Sequence, residues 1–257
     1  MSSDPARGRL LLVPNTLDLG AEAGDIQDVL PLGVLREAAR LRHWVAENAK
    51  TTRAFLKRVD AVAPLSQPLQ MLSIRELPRP RKGSGATQPS ARELQALLAP
   101  TLAGEDLGLI SEAGLPGVAD PGAALVEAAH AAGTTVISLP GPSSLMLALA
   151  ASGLNGQSFA FVGYLPVDAA ERAARLRELE AASRRLGQTQ LLIETPYRNA
   201  AMLSALTQTL AGTTRLSISC GLTLADGWTR SQTIARWKAA PLQMPERLPA
   251  VFALLAS

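Results

Sequence analysis

Short apolar runs separated by polar loops recur along the chain and predict strands that alternate with helices. In the first half, residues 9–13, 44–47, 107–110 and 136–139 have the length and apolar content of buried strands. Between the last two runs, apolar side chains recur at helical spacing, namely Leu125, Val126, Ala129 and Ala132. Gly133 is placed to end that helix. This order of strand, helix and strand predicts a βαβ unit in a mostly parallel sheet.

The second half spaces its elements differently. Residues 168–186 predict a charged helix with ion pairs four residues apart, one of which would join Glu180 to Arg184. Strands are predicted at 190–193, 216–220 and 250–255, with fewer helices between them than in the first half. The fold class is therefore α/β, and the second half is predicted to form a separate domain with a mixed sheet.

Two glycine-containing loops follow predicted strands of the first half, at 111–117 and 140–144. In open parallel sheets, ligands bind in the crevice outside the carboxyl ends of the strands. Glycine there allows the backbone to approach a ligand closely. Ser143 or Ser144 can cap the helix that follows, whose exposed N–H groups suit a carboxylate. The two loops are therefore the candidate ligand site.

The order of the residues in these loops is more informative about the protein family than their composition. Residues 111–122 read S-E-A-G-x-P-x-x-x-D-P-G, and residues 138–144 read x-L-P-G-P-S-S. This pair resembles a signature of the tetrapyrrole-methylase-like superfamily of S-adenosylmethionine (SAM) methyltransferases. Its nearest branch is the ribosomal small-subunit RNA methyltransferase I family, which modifies a ribose 2′-hydroxyl of 16S RNA. The alternative, two ordinary βα turns of another α/β protein, requires a long motif to arise in the right order by chance.

The resemblance implies two α/β domains, residues 1–141 and 142–257, with SAM in the cleft between them, and a homodimer. It also implies contacts between SAM and a set of small side chains and backbone groups. When the family's contact positions are transferred to this sequence, they correspond to Pro14, Glu112, Ala113, Gly114, Leu115, Ser143, Ser144, Ile193, Ser219, Cys220, Pro249 and Ala250.

The chain departs from the family pattern at the edges of the expected cleft. Leu17 and Asp18 stand where the family has isoleucine and glycine, and Gly221 stands where it has a charged residue. Glu47 matches a glutamate of the family pattern. The aspartate, threonine and arginine that follow this glutamate in the family are replaced here by residues 48–50. Glu47 is the best carboxylate candidate for taking a hydroxyl proton and Lys50 the best cation. A surface or interdomain ion pair explains either residue equally well.

Three functions stay open on this sequence. The first is RNA ribose methylation, with RNA or the small ribosomal subunit as partner. The second is methylation of a small molecule such as a tetrapyrrole. The third is a degenerate relative that binds SAM or a partner without catalysis. Overall similarity favours the first, whereas the altered cleft edges favour the second or third and predict inefficient RNA ribose methylation.

Composition excludes several other classes. One cysteine, Cys220, rules out an intramolecular disulfide, and two distant histidines form no metal motif. The sequence has no signal peptide and no apolar run of membrane-spanning length. These absences predict a cytoplasmic protein that does not bind a membrane. It lacks both the dinucleotide and the P-loop glycine motifs. The net charge of +3 permits RNA binding, and the basic segment at 79–85 is either a solvated loop or a contact for RNA phosphates.

Overall fold

The computed structural model describes residues 7–18, 24–78 and 89–257. The chain forms two compact units, residues 1–142 and residues 143–257. Each unit contains one five-stranded sheet covered by helices. The predicted α/β class, with a parallel first sheet and a mixed second sheet, is confirmed.

The first unit is built on a fully parallel sheet. Its strands are β1 (Arg9–Leu12), β2 (His43–Ala46), β3 (Ser73–Glu76), β4 (Leu107–Ile110) and β5 (Thr135–Ser138), arranged in the order β3-β2-β4-β1-β5. Its helices are α1 (Leu32–Arg40), α2 (Ala49–Asp60), α3 (Ala91–Leu102) and α4 (Ala123–Ala131). The predicted βαβ unit is present, but β1 lies between β4 and β5 in the sheet.

Alternation along the strands divides the apolar core of this unit between the two faces of its sheet. Leu11 packs in a cluster with residues of α1 and α2, including Leu35 and Leu56. Leu10 packs on the other face with residues of α3 and α4, including Leu98 and Leu125. A sheet buried on both faces explains why its central strands read as continuous apolar runs.

The edge strand β3 was not predicted, because residues 72–85 have the composition of a loop. Its residues are mostly exposed, and it pairs with β2 in register Trp44↔Ile74. An edge strand has one free side, so polar and charged residues are tolerated there. The basic residues Arg79, Arg81 and Lys82 of the same segment lie outside the described residues.

The second unit contains a mixed sheet. Its strands are β6 (Phe159–Phe161), β7 (Thr189–Glu194), β8 (Arg215–Cys220), β9 (Trp228–Thr233) and β10 (Ala250–Leu255), in the order β6-β7-β10-β8-β9. Only β6 and β7 are parallel to each other, and the remaining pairs are antiparallel. Its helices are α5 (Ser144–Ser152), α6 (Ala169–Leu186), α7 (Asn199–Thr209) and α8 (Ile234–Ala239).

One predicted ion pair of α6 is wrong. Glu180 is buried, and its carboxylate accepts hydrogen bonds from the backbone N–H of Ala211 and the hydroxyl of Thr214. Arg184 instead donates to the carbonyl of Ser257. Glu180 therefore anchors the loop before β8, a role that spacing along one helix does not show. Among the described residues, no helix has the length and apolar character needed to cross a membrane.

Candidate functional site

The chain leaves the neighbouring strands β1 and β4 toward opposite faces of the first sheet. After β1 it leads to α1, which packs on one face with α2, and after β4 it leads to α4, which packs on the other face with α3. Adjacent strands whose connections diverge in this way leave a crevice at their carboxyl ends, where α/β proteins bind ligands. The loops at 13–18 and 111–122 border this crevice.

Asn15 joins the two loops. Its side-chain amide donates to the carbonyls of Ser111 and Glu112, at 3.1 and 3.0 Å. Its side-chain oxygen accepts from the backbone N–H of Thr16 at 2.9 Å. Its backbone pairs with Gly114 in an isolated antiparallel bridge. Because Asn15 is buried and uses its side chain and its backbone across the crevice, it fixes the relative position of both loops.

A partly buried ion pair holds the end of the first loop. Arg58 of α2 contacts Asp18 at 2.9 Å, and Thr16 donates its hydroxyl to the same carboxylate at 2.7 Å. Asp18 stands where the resembled pattern has glycine. A buried carboxylate requires a partner, and Arg58 supplies one. The aspartate that replaces the family's glycine is therefore neutralised by an arginine of the same unit.

Glu47 and Asn48, which follow β2, contact the loop after β4. One carboxylate oxygen of Glu47 accepts from the backbone N–H of Glu112 at 3.2 Å. The side-chain amide of Asn48 donates to Oε1 of Glu112 at 3.1 Å. The structure thus places the predicted residue Glu47 beside the predicted residue Glu112. Asn48, which replaces the aspartate of the resembled pattern, thus contacts the predicted residue Glu112.

Two glycines bring backbone close to this crevice. Gly114 has φ of +67°, a conformation that other residues rarely adopt. A Cβ at Gly141, in the loop after β5, would lie 2.3 Å from Cβ of Pro14. The predicted contact residue Pro14 therefore packs directly against the second motif loop. Pro14 and residues 112–115 are grouped at one end of the sheet, where the resemblance predicts that they contact SAM.

Lys50 is not part of this group. It is exposed in the first turn of α2, where its backbone N–H is capped by the side-chain oxygen of Asn48 at 2.9 Å. Within the described ranges its ammonium forms no ion pair with Glu47 or Glu112. In the same ranges, no three His, Cys, Asp or Glu side chains are grouped so that they could hold a metal ion.

In the second unit, the predicted contact residues meet at one end of the mixed sheet. Ala250, the first residue of β10, lies opposite Cys220 of β8. The next residue of β10 lies between Ile193 and Ser219. Burial, reinforced by the charge of Asp226, raises the pKa of the Cys220 thiol, so this cysteine is held neutral and unreactive.

The segment before β10 is fixed by two hydrogen bonds. The carbonyl of Pro249 accepts from the backbone N–H of Gly221 at 3.1 Å. The carbonyl of Leu248 accepts from the side-chain amide of Asn199, which is fully buried, at 2.9 Å. Residue 221, where the family has a charged side chain, thus serves here as a backbone contact to the predicted residue Pro249.

The predicted residues Ser143 and Ser144 lie at the start of α5. Ser143 occupies the N-cap position, but its side chain accepts no capping hydrogen bond. The prediction that Ser143 or Ser144 caps this helix is right in the position of the cap, which is Ser143, and wrong in that this hydroxyl makes no capping hydrogen bond. The first N–H groups of the helix are not satisfied by that hydroxyl and remain suited to an anionic group.

The family model of tetrapyrrole (corrin/porphyrin) methylases matches residues 32–237. The chain belongs to this family. The match covers most of both units, so the resemblance of the two motif loops is confirmed.

Individual relatives agree with this family membership. The chain is 40% identical over 127 residues to a ribosomal RNA small subunit methyltransferase I of Mesorhizobium japonicum, covering 49% of this chain and 42% of the relative. It is 30% identical over 194 residues to a protein of the same name from Streptococcus pyogenes, covering 74% and 57%. The chain thus spans about half the length of the curated relatives that it matches.

A solved structure shows the same fold. It is a uroporphyrin-III C-methyl transferase from Thermus thermophilus complexed with S-adenyl homocysteine, with a TM-score of 0.53 and 18% identity. The comparison covers 96% of this chain and 97% of that one. At this identity, the similarity concerns the fold alone.

Sequence reasoning missed several residues that this family member uses to build the crevice. Asn15, Arg58 and Asp120 carried no assigned role. The position of Asn15 directly after a strand and a proline was the only available signal. Arg58 lies in the middle of a charged helix, and its contact with Asp18 joins positions 40 residues apart. Such contacts follow from the three-dimensional arrangement and leave no local pattern.

Asp120 adds a third carboxyl group to Glu47 and Glu112. Burial first, and then the negative charges of Glu47 and Glu112, raise the pKa of Asp120 from 3.8 to about 6. A hydrogen bond with Ser111 acts in the opposite direction. The crevice therefore contains a carboxyl group that exchanges its proton close to neutral pH.

We expect Asp120→Asn to stabilise the protein at pH 8 and to leave its stability unchanged near pH 4. Folded Asp120 binds its proton more tightly than the unfolded chain does, so the stability that this group contributes is lost as pH rises from about 4 to about 6. Asparagine has no proton to lose. Because Asp120 is only half-buried, solvent screening limits the gain to about 1 kcal/mol. Urea unfolding between pH 4 and pH 8 measures it.

The matched control is Asp28→Asn, which removes the same charge at an exposed position of this unit. It should give no gain that grows between pH 4 and pH 6. A stabilisation by Asp120→Asn that is equal at all pH values would contradict a raised pKa as its cause.

Proposed function

We propose that this chain is a SAM-dependent methyltransferase whose acceptor is a ribose 2′-hydroxyl of small-subunit ribosomal RNA. The observation that supports it most is the crevice at the carboxyl ends of β1 and β4, which the first loop of the family motif borders and against which Gly141 of the second loop packs through Pro14. Membership in a family of methylases supports methyl transfer. The name ribosomal RNA small subunit methyltransferase I, carried by relatives at 30–41% identity, supports the acceptor.

The residues of the crevice fit SAM in chemical terms. Because Gly114 and Gly141 carry no side chain, the backbone at Pro14 and at residues 112–115 packs closely together at this crevice. Glu112 supplies a carboxylate that can accept hydrogen bonds from ribose hydroxyls. In the second unit, Ser143, Ser144, Ile193, Ser219, Cys220, Pro249 and Ala250 are the proposed contacts. These groups are small or uncharged, as a zwitterionic ligand with an adenine requires.

When bound, SAM supplies an electrophilic methyl group. The chain contributes alignment, because a direct displacement gains most of its rate from correct orientation of donor and acceptor. It also contributes proton removal from the acceptor hydroxyl. Glu47 is the proposed proton acceptor, held at the crevice by its hydrogen bond to the loop after β4. Lys50, exposed in the first turn of α2, is proposed to contact an RNA phosphate.

Binding of SAM is tested with Ser143→Arg. Since the Ser143 side chain makes no capping bond, its replacement leaves the hydrogen bonds of α5 intact and adds bulk at the proposed site. We expect calorimetry to show binding of SAM to the wild type and at least about a hundredfold weaker binding to the variant, because of steric overlap.

The matched control is Gly156→Arg, which adds the same side chain in an exposed loop of the second unit where a Cβ has no neighbour within 4 Å. It should bind SAM as the wild type does. Absence of heat and of a thermal shift for the wild type at millimolar SAM would contradict the proposed function.

Methyl transfer is tested with labelled SAM and small ribosomal subunits from cells that lack the relative's activity. We expect label at one ribose 2′-oxygen, at a modest rate because Lys50 cannot grip phosphate as an arginine fork does. Glu47→Gln should reduce kcat by on the order of a hundredfold through loss of the proton acceptor. Asp60→Asn, an exposed charge change at the end of α2, serves as the control.

Binding of SAM without label in any RNA would contradict the RNA acceptor. The acceptor would then be sought among small molecules such as tetrapyrroles, the alternative that the replaced residues 48–50 and 221 favour. The RNA proposal also places the protein in the cytoplasm, with ribosomes.

A homodimer is the further part of this proposal. In the second unit, the edge strand β6 exposes Phe159 and Phe161 on one face, and Tyr164 and Val167 are exposed just beyond it. Exposed apolar side chains that are close in sequence on an edge suit an apolar interface. We expect light scattering to give twice the mass of the 26.9 kDa chain at micromolar concentration. The mass of a single chain would contradict the dimer.

A further inference from the structure

The side chain of Asn48 makes two contacts at once, one within its own helix and one with another loop. Its side-chain oxygen accepts from the backbone N–H of Lys50 and caps α2 at 2.9 Å. Its side-chain nitrogen donates to Oε1 of Glu112, on the other loop, at 3.1 Å. An asparagine can do both at once because its amide has an acceptor at one end and a donor at the other.

Aspartate would keep only the first of these contacts. It caps a helix as well as asparagine does, but it has no hydrogen to offer Glu112. The surroundings make this donor important, because Glu47 and Asp120 already place negative charge near Glu112. A further carboxylate at position 48 would repel Glu112 and rotate its side chain away.

The contact with Asn48 also determines what Glu112 can offer a ligand. Oε1 is occupied by Asn48, and Oε2 accepts no hydrogen bond from the residues that the structure describes. The backbone N–H of Glu112 is fixed by Glu47, so the base of the side chain is held as well. A carboxylate fixed at one oxygen, directly after a parallel strand, suits a pair of ribose hydroxyls.

We propose that Asn48 is the positioning residue for Glu112 and that it directs the free carboxylate oxygen toward the ribose hydroxyls of the ligand. This inference rests on the proposed function, because it concerns the same SAM site. It assigns to Asn48 a role in ligand affinity in addition to its role as a helix cap. The two residues then act as one unit, and their effects on affinity are not additive.

The test is a double-mutant cycle of Asn48→Asp and Glu112→Gln, with affinities for SAM and S-adenosylhomocysteine measured by calorimetry. Asn48→Asp should weaken both ligands by on the order of tenfold, since the carboxylate of Glu112 loses its donor. In the Glu112→Gln background the same change should have less than about a twofold effect, because a glutamine amide can donate to the new carboxylate.

The cap itself is controlled for in two ways. Asp168→Asn makes the reverse exchange at the N-cap of α6, where the side chain contacts only its own helix, and should leave both affinities unchanged. The melting temperature of Asn48→Asp should stay close to that of the wild type, because the capping bond is retained. A large drop in melting temperature together with the loss of affinity would indicate a structural role and overturn the proposal.

The remaining outcomes distinguish this proposal from the proposed function. Equal effects of Asn48→Asp in both backgrounds would overturn the positioning role while leaving SAM binding intact. A much larger loss for SAM than for S-adenosylhomocysteine would mean that Glu112 faces the sulfonium, and would overturn the assignment to ribose. A wild type that binds neither ligand would overturn the proposed function together with this inference.

Discussion

The first unit depends on the cross-link that Asn15 makes between the loops after β1 and β4. Parallel strands bring the ends of these loops together, but they diverge toward opposite faces, so the sheet alone does not fix their spacing. The buried amide of Asn15 satisfies two carbonyls of one loop and one N–H of its own. Leaving those groups unpaired in a buried place would cost about 1–3 kcal/mol each, so the loops hold a single arrangement.

The pKa of a carboxyl group is shifted in opposite directions at the two ends of the first sheet. At the amino ends, Asp106 is bound by Arg9 and Arg40, and their hydrogen bonds hold the pKa of this carboxyl well below its usual range. At the carboxyl ends, the neighbours of Asp120 are themselves acidic, and its pKa rises. The first arrangement suits a permanent structural tie. The second raises the electrostatic energy of the loops that form the proposed SAM site.

Much of this architecture could be predicted from the sequence because its signals are local. Apolar runs gave the strands β4 and β10, and the glycine-rich loops gave the position of the crevice. The edge strand β3 was missed because its residues are mostly polar and exposed, so they show no apolar run or alternation. The anchoring role of Glu180 and the cross-link by Asn15 were missed for another reason. Each depends on a backbone group far away in the chain, which only the folded arrangement brings near.

Helix α2 has a consequence for which changes the chain can accept. Asn48 at its start contacts Glu112, and Arg58 near its end contacts Asp18, so one helix of 12 residues supports both loops. Each residue of an α-helix advances the chain by 1.5 Å and turns it by about 100°. Inserting or deleting a single residue within α2 would therefore turn Arg58 away from Asp18 while Asn48 stayed in place. The length of this helix is under strict constraint, whereas exposed side chains between its ends, such as Arg53 and Lys57, are free to vary.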